Sequence, residues 1–291
     1  MTVTIAHLGP VGTYSEQAAI AYANWFERET GQKAIFSPYL GIAQALQAVA
    51  SSQAEIAVVP VENSIEGSVA VTLDTLWQLD SLQIQLAYVL PITHALLSCA
   101  SNLESINTVY SHPQALAQCQ GWIAQFMPNV QLIPTNSTTE ALKQLNLDLS
   151  AAAISSVRAS QLYNLPILAS GINDYPDNCT KFWVVSLDQP PTVGTHTTLA
   201  FSLRANLPGV LVKPLQVFAQ RDINLSRIES RPTKRSLGEY LFFIDLEGDI
   251  NSSAVKSAIA ELTAYTEVLK IFGSYNIIGV RSEGESGGGE E

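Results

Sequence analysis

The sequence predicts an α/β protein with two lobes joined by long crossing strands, followed by a small domain of ferredoxin-like topology. Over residues 1–188, short apolar strands alternate with segments that have helical spacing. A segment at 189–194, punctuated by Pro and Gly, interrupts this periodicity. Beyond it the patterns follow the order β-α-β-β-α-β. The length of 291 residues exceeds what one core usually accommodates, which agrees with two or three domains.

The first lobe is predicted from strands and helices in βαβ order. The strands are expected at 3–8, 33–39 and 56–61, and the helices at 14–26 and 42–50. Either Thr13 or Ser15 is expected to cap the first helix. This alternation is typical of a parallel sheet covered by helices.

The second lobe follows a long extended segment at 82–97. Its strands are expected at 108–110, 130–134 and 152–154, and its helices at 115–126 and 138–145. In sheets of this kind, ligands bind at the carboxyl ends of the strands and in the crevice between the two halves.

The small domain is predicted to have four strands and two helices. The strands are expected at 197–203, 224–230, 239–246 and 267–275, and the helices at 209–220 and 252–263. The expected divisions are a two-lobed domain at 1–188, a linker at 189–196, the small domain at 197–280 and a disordered acidic tail at 281–291.

The composition indicates a globular enzyme and excludes several other classes. The chain is 47% hydrophobic and 14% charged, and its net charge of −11 argues against a nucleic-acid partner. No apolar run reaches the roughly 18 residues of a membrane span, and the first residues lack a secretory signal. Three widely spaced cysteines, without zinc spacing, suggest free thiols in a reducing cytoplasm and no metal site.

Two polar clusters stand at strand ends in the first lobe. The Gly-rich turn at 9–16 leaves the first strand and opens a helix, so its backbone N–H groups favour an anion. The alternative is a tight turn whose helix is capped by Thr13 or Ser15. The cluster at 60–68 places Glu62, Asn63 and Ser64 directly after a buried strand, where side chains often contact ligand. The alternative is a turn held by local bonds of Asn63 and Ser64.

Two further clusters follow in the second lobe and in the crossing strand. At 111–119, Ser111 ends a strand and Gln118 is expected on a helix face towards the crevice. Ser111 can instead be an ordinary helix cap. At 178–182 the sequence is Asn-Cys-Thr-Lys-Phe. The alternative here is that Thr180 is an ordinary strand residue and Lys181 a solvated residue at the sheet edge.

In this order, the four clusters resemble the signature motifs of prephenate dehydratases over essentially residues 1–280. The motifs are Gly-Pro-x-Gly-Thr-Tyr-Ser, Pro-x-Glu-Asn-Ser, Ser-His-Pro-Gln-Ala-Leu-x-Gln-Cys and Asn-x-Thr-[Arg/Lys]-Phe. Lys181 stands where Arg is common in the family, and it lacks the planar donor fork of Arg. The resemblance implies a catalytic domain like the periplasmic binding proteins, which converts prephenate to phenylpyruvate, water and carbon dioxide without a cofactor.

The resemblance also assigns roles to residues. Thr180 would bond the leaving hydroxyl of the substrate and assist its protonation. Glu62 would be a general acid only if burial raises its pKa. The other expected catalytic residues are Ser111, Gln118 and Asn63, and the expected substrate-binding residues are Thr13, Ser64, Asn178, Lys181 and Phe182.

Two motifs in the small domain resemble the phenylalanine-binding motifs of ACT domains. They comprise Gly209, Val210, Leu211 and Val212, and then Asn224, Leu225, Glu229, Ser230, Arg231 and Pro232. The alternative is a helix start and an edge strand that ends at Pro232. The resemblance implies inhibition by L-phenylalanine and a homodimer or homotetramer, because ACT domains usually bind ligand where two copies meet.

Two other functions remain as alternatives, and a third is not expected. Arogenate dehydratase differs only by an amino group in place of the ketone of the substrate, and no residue decides between the two. A non-catalytic solute-binding module has a similar two-lobed form, but the lack of a signal peptide argues against it. An attached chorismate mutase is not expected, since Met1 stands a few residues before the first strand.

Overall fold

A computed structural model describes residues 2–145, 148–189, 193–204 and 206–279. The mixed α/β class is confirmed, with two lobes followed by a small domain. The predicted acidic tail and residues 190–192 of the predicted linker lie outside the described residues.

The elements are numbered along the chain. The strands are β1 (Thr2–Leu8), β2 (Lys33–Tyr39), β3 (Ile56–Asn63), β4 (Gly67–Ser68), β5 (Gln83–Pro91), β6 (His94–Ser98), β7 (Thr108–Ser111), β8 (Gln131–Pro134), β9 (Ala151–Ser156), β10 (Ile167–Ser170), β11 (Cys179–Ser186), β12 (His196–Leu203), β13 (Leu225–Pro232), β14 (Tyr240–Glu247) and β15 (Thr266–Gly279). The α-helices are α1 (Tyr14–Thr30), α2 (Ile42–Ala50), α3 (Ala70–Gln78), α4 (Pro113–Ala117), α5 (Gln120–Phe126), α6 (Val157–Tyr163), α7 (Val212–Ala219) and α8 (Ser253–Leu262). Short 3-10 helices lie at Leu103–Ser105 and Glu140–Gln144.

Two sheets organise these elements. The larger sheet has the order β13-β14-β12-β15-β5-β11-β3-β1-β2, with β4 paired to β3. The second lobe has the order β10-β6-β9-β7-β8. The chain crosses between the lobes after β5 and again before β11, so the crevice lies beside these two crossings.

The small domain has the predicted β-α-β-β-α-β order, and its last strand joins the first lobe. β15 pairs with β12 and then continues beyond the predicted end at residue 275. Its residues Asn276 to Gly279 pair in parallel with Leu86 to Val89 of β5. A single sheet therefore runs through both domains, which fixes the small domain against the first lobe.

Some elements differ from the sequence-based expectation. The helix predicted at 115–126 is two helices, α4 and α5. Helix α5 begins separately because Asp174 accepts hydrogen bonds from Gly121 N and Trp122 N at 2.9 and 3.0 Å. Asp174 lies in the segment between β10 and β11, where the chain returns to the first lobe. The helix predicted at 209–220 begins only at Val212, since Gly209 has a φ of +75°. Helices α3 and α6 were not predicted.

Strand β11 separates two hydrophobic cores. Phe182 and Val184 pack on one face with residues of α1, whereas Trp183 and Val185 pack on the other face with residues of the small domain. Trp183 is fully buried, and its ring lies edge-on to Tyr275 of β15 at 6.5 Å. Since side chains alternate along a strand, Thr180 shares the face of Phe182 and Lys181 the face of Trp183.

Candidate active site

A cavity of about 810 Å³ lies between the two lobes. The first lobe and β11 contribute Thr13, Tyr14, Asn63, Thr180 and Phe182 to its wall, and the second lobe contributes His94, His112, Gln118, Ser137, Thr139 and Lys143. Of the residues predicted for the site, Thr13, Asn63, Gln118, Thr180 and Phe182 are brought together here. Tyr14 and His94 were not predicted for it.

Thr180 and Asn63 form the centre of the polar wall. Asn63 Nδ2 donates to Thr180 Oγ1 at 2.9 Å, and it also lies 3.1 Å from the Cys179 carbonyl oxygen. Asn63 Oδ1 accepts from the backbone N–H groups of Ile65 and Glu66 at 3.1 Å, which fixes the orientation of the amide. Within the described residues the Thr180 hydroxyl donates to no partner, so its proton is available to a ligand in the cavity.

Asn178 connects this pair to Gln118 in the second lobe. Its Oδ1 accepts from Asn63 Nδ2 at 2.8 Å, and its Nδ2 donates to Gln118 Oε1 at 2.9 Å. Asn178 is only 1% exposed and does not line the cavity. The structure therefore places this predicted substrate-binding residue behind the wall, where it orients Asn63 and Gln118.

Tyr14 and His94 extend the same network. His94 Nε2 lies 3.0 Å from Gln118 Oε1, and Nδ1 lies 3.0 Å from the Tyr14 hydroxyl oxygen. Burial lowers the pKa of His94, and the hydrogen bond with Gln118 offsets only part of this effect. The sequence signal that would have identified His94 is an imidazole inside the largely apolar segment 82–97.

The Gly-rich first turn both caps a helix and lines the cavity. Thr13 Oγ1 accepts from Glu16 N at 3.4 Å, so Thr13 is the cap of α1 as well as a wall residue. Glu16 accepts from Gly12 N at 2.8 Å and from Arg158 Nε of the second lobe at 3.1 Å. This ion pair joins the two lobes.

Ser111 and Ser64 do not take the predicted positions. Ser111 is fully buried, and its hydroxyl donates to the Ile154 carbonyl oxygen at 2.7 Å between neighbouring strands. His112, not Ser111, caps α4. Ser64 Oγ accepts from Cys179 N at 3.0 Å. Neither serine lines the cavity, because both side chains bond backbone groups of adjacent segments.

Lys181 and Glu62 also point away from the cavity. Lys181 Nζ lies 2.9 Å from Glu62 and 3.1 Å from Asp245 of the small domain. Asp245 is 1% exposed and accepts two bonds from Arg227, at 2.9 and 3.1 Å. The predictions of Lys181 as a substrate contact and Glu62 as a general acid therefore do not fit the structure. Strand alternation is the reason, since Thr180 occupies the opposite face.

Charged residues of the second small-domain motif face the first lobe. Arg231 forms two hydrogen bonds with Asp74 of α3, at 3.0 and 3.1 Å. Glu229 accepts from Ser68 Oγ at 3.2 Å. Both residues thus hold the small domain against the first lobe.

The rest of the predicted effector set is dispersed. Val210 lines a separate cavity of about 530 Å³ in the small domain. Asn224 donates to Glu247 at 2.8 Å, and Leu211 and Leu225 pack against the core of the small domain. Of the predicted effector residues, Val210 is the one that lines this cavity.

Two properties of the described residues bear on function. They contain no group of three or more His, Cys, Asp and Glu side chains placed to hold a metal ion. In the same part of the chain, no helix has both the length and the apolar character needed to cross a membrane.

The fold and the cavity define a class, namely a two-lobed α/β enzyme with a C-terminal domain of ACT type. Residues 5–190 match the family model of prephenate dehydratase, and residues 197–264 match that of the ACT domain. The chain belongs to the prephenate dehydratase family, and it is a hydro-lyase that dehydrates prephenate.

Individual relatives cover most of the chain. A bifunctional chorismate mutase/prephenate dehydratase of Aquifex aeolicus is 40% identical over 274 residues, which are 94% of this chain and 73% of that protein. A prephenate dehydratase of Lactococcus lactis subsp. cremoris is 36% identical over 280 residues, covering 94% of this chain and 97% of that one. The crystal structure of a prephenate dehydratase from Arthrobacter aurescens in complex with L-Phe has a TM-score of 0.83 and 35% identity, covering 94% of this chain and 90% of that chain.

Proposed function

We propose that the interlobe cavity converts prephenate to phenylpyruvate, and that the Thr180 hydroxyl donates a hydrogen bond to the leaving hydroxyl group. The observation that carries this proposal is the bond from Asn63 to Thr180 Oγ1 at 2.9 Å. It fixes the oxygen at the cavity wall and leaves its proton for the substrate. Phe182, whose side chain is buried in the same wall, offers an apolar surface for the ring.

The reaction needs little acid or base chemistry from the enzyme. The C–O bond to the ring hydroxyl and the C–C bond to the ring carboxylate break, and the electron pair of the C–C bond enters the ring that becomes aromatic. The hydroxide leaves as water after it takes up a proton, and the carboxylate leaves as carbon dioxide. A hydroxyl held at the departing oxygen assists this step. The remaining rate acceleration comes from the positioning of the substrate in the cavity. Because Thr is a weak acid, a relayed solvent proton completes the water.

The ammonium group of Lys143, at the cavity wall, is better suited to one carboxylate of the substrate than to the other. A cation on the departing ring carboxylate would stabilise the ground state more than the transition state, which opposes catalysis. The carboxylate of the pyruvyl side chain stays in the product and carries no such penalty. Among the described residues that line the cavity, Lys143 is the only Lys or Arg. We assign its ammonium group to the pyruvyl carboxylate.

Regulation by L-phenylalanine is proposed for the small domain. The ACT match and the L-Phe complex of the relative from Arthrobacter aurescens support it. Arg231 is engaged with Asp74, so in this proposal it transmits the effect of the ligand to α3. The proposed assembly is a homodimer or homotetramer, since ACT domains usually bind ligand where two copies meet.

The proposed location is the cytoplasm. The three cysteines Cys99, Cys119 and Cys179 are free, which suits a reducing compartment.

One assay tests the proposal against its nearest alternative. The purified protein is given prephenate or arogenate, each with and without L-phenylalanine, and the products are separated by chromatography. We expect phenylpyruvate from prephenate and a lower rate with L-phenylalanine. Phenylalanine formed from arogenate, with no product from prephenate, would establish arogenate dehydratase instead.

A further inference from the structure

His94 is a buried residue that the mechanism above does not use. It begins β6, directly after the first crossing between the lobes, and is 3% exposed. Its backbone N–H donates to Asn173 Oδ1, from the second crossing, at 2.7 Å. The side chain reaches from this junction towards the cavity, with Gln118 at one ring nitrogen and Tyr14 at the other.

The hydrogen bonds of the polar wall determine where His94 carries its proton. Two backbone N–H groups hold Asn63 Oδ1, so Asn63 must present its NH₂ to Asn178 Oδ1. Asn178 must then present its own NH₂ to Gln118 Oε1. The atom of Gln118 that faces His94 Nε2 is therefore an acceptor, and Nε2 must be the donor.

Tyr14 completes this arrangement at the other ring nitrogen. Burial lowers the pKa of His94, which favours the neutral ring. A neutral ring with its proton on Nε2 has a lone pair on Nδ1. The single proton of the Tyr14 hydroxyl is shared between two acceptors, the Thr93 carbonyl oxygen at 2.8 Å and this lone pair at 3.0 Å. Gln118 therefore determines the tautomer of His94, and the contact with Tyr14 is compatible with it.

We propose that His94 is a positioning residue for the dehydration: its Nε2–H, through Gln118, Asn178 and Asn63, holds the Thr180 hydroxyl in place. The inference rests on the proposed role of Thr180. The three amide side chains are anchored at one end by the backbone of Ile65 and Glu66. His94 anchors the other end. Among the described residues, the Gln118 amide is otherwise held by Asn178 Nδ2 at 2.9 Å and by a 3.5 Å contact from its Nε2 to Glu66.

Three substitutions at one position separate a hydrogen-bonding role from a packing role. His94→Gln keeps an N–H near the place of Nε2, His94→Asn places its amide near Nδ1, and His94→Leu offers no donor. We expect His94→Leu and His94→Asn to lower kcat about 10- to 100-fold, since small misplacements of reacting groups cost rates of this order. KM should change less than about threefold. His94→Gln should recover most of kcat.

A matched control tests whether any buried histidine has this effect. His7 is fully buried on β1, outside the cavity lining, and its Nε2 has no hydrogen-bond partner within the described part of the chain. We expect His7→Leu to keep the kcat of the wild type. If His94→Leu does not fold, the comparison of His94→Gln with His94→Asn replaces it, since both keep a polar amide at this position: His94→Gln should have the higher kcat.

The proposal is overturned if a folded His94→Leu keeps wild-type kcat, or if the Gln and Asn variants have equal kcat. A double variant gives a second test. If His94 acts through Gln118, then Gln118→Ala combined with His94→Leu should lose no more kcat than Gln118→Ala alone. Losses that multiply would contradict the relay. If the wild type forms no phenylpyruvate, both the proposed function and this inference fail, whereas an active His94→Leu variant overturns the inference alone.

Discussion

Asn63 and Thr180 are direct partners in the antiparallel pairing of β3 with β11, and their side chains meet at 2.9 Å although 117 positions separate them in the chain. Residues opposite each other on neighbouring strands have adjacent side chains on the same face. The register of two strands therefore assembles the centre of the site.

Asn63→Asp should reduce turnover while it leaves the fold intact. The carboxylate keeps an acceptor for the N–H groups of Ile65 and Glu66, but it cannot donate to Thr180 Oγ1. We expect kcat to fall about 100-fold, the usual effect of losing one oriented donor. Asn102→Asp is the matched control, since exposed Asn102 also accepts a backbone bond, from Ser105 N. Equal kcat values for the two variants would contradict the assignment.

Lys181→Met should affect stability more than substrate affinity. Its ammonium bonds Glu62 and Asp245 on the face opposite to Thr180. We expect the free energy of unfolding to fall by about 1 to 3 kcal/mol, because a hydrogen bond to a buried charge is lost. KM for prephenate should stay within about threefold of the wild type. Denaturant titration and steady-state kinetics measure the two quantities. A tenfold rise in KM would instead indicate that Lys181 contacts the substrate.

Asp245→Asn should destabilise the protein in a pH-dependent manner. Burial alone would raise the pKa of the Asp245 carboxyl, but the charge and hydrogen bonds of Arg227, aided by Lys181 and Thr198, lower it below the ordinary 3.8. A carboxyl whose pKa is lower when folded stabilises the protein above its unfolded pKa, and this contribution disappears as pH falls through the folded pKa.

The difference in unfolding free energy between wild type and Asp245→Asn should therefore be constant from about pH 7 to 5 and shrink only in stronger acid. At neutral pH it should be about 3 to 5 kcal/mol, since Arg227 loses its buried partner. Denaturant titrations at several pH values measure it. A difference that shrinks already between neutral and mildly acidic pH would show that Asp245 is not held in its charged form.

Arg231→Ala should weaken inhibition by L-phenylalanine more than its binding. Arg231 bonds Asp74 of α3, so its loss breaks a contact between the two domains. Calorimetry should show binding within about threefold of the wild type, while a saturating ligand should inhibit less. Arg221→Ala is the control, because Arg221 pairs with Glu261 inside the small domain. Full inhibition of Arg231→Ala would exclude this route of coupling.

Much of the fold was predicted from the hydrophobic periodicity of the sequence. The side of the strand on which several site residues lie was not. The bounds of β2 and α2 agree with the prediction, because their apolar spacing is regular and their ends are local. Thr180 and Lys181 are neighbours in a strand and cannot face the same side. Which of them faces the cavity depends on the pairing of β11 with β3, a contact that one motif does not encode.

Long-range contacts account for the other differences. The break between α4 and α5 depends on Asp174, more than 50 residues away. The extension of β15 depends on its pairing with β5. Ser111 was expected in the site because it ends a strand, but its hydroxyl bonds the neighbouring strand instead.

The role of Thr180 is tested most directly by phenylpyruvate formation in Thr180→Ala and Thr180→Ser. The account predicts that Thr180→Ala lowers kcat by about 10²- to 10⁴-fold with little change in KM, since it removes the hydroxyl that bonds the leaving group together with one methyl. Thr180→Ser, which keeps the hydroxyl, should retain kcat within about tenfold of the wild type. A folded Thr180→Ala protein that binds prephenate and turns it over at the wild-type rate would contradict the account.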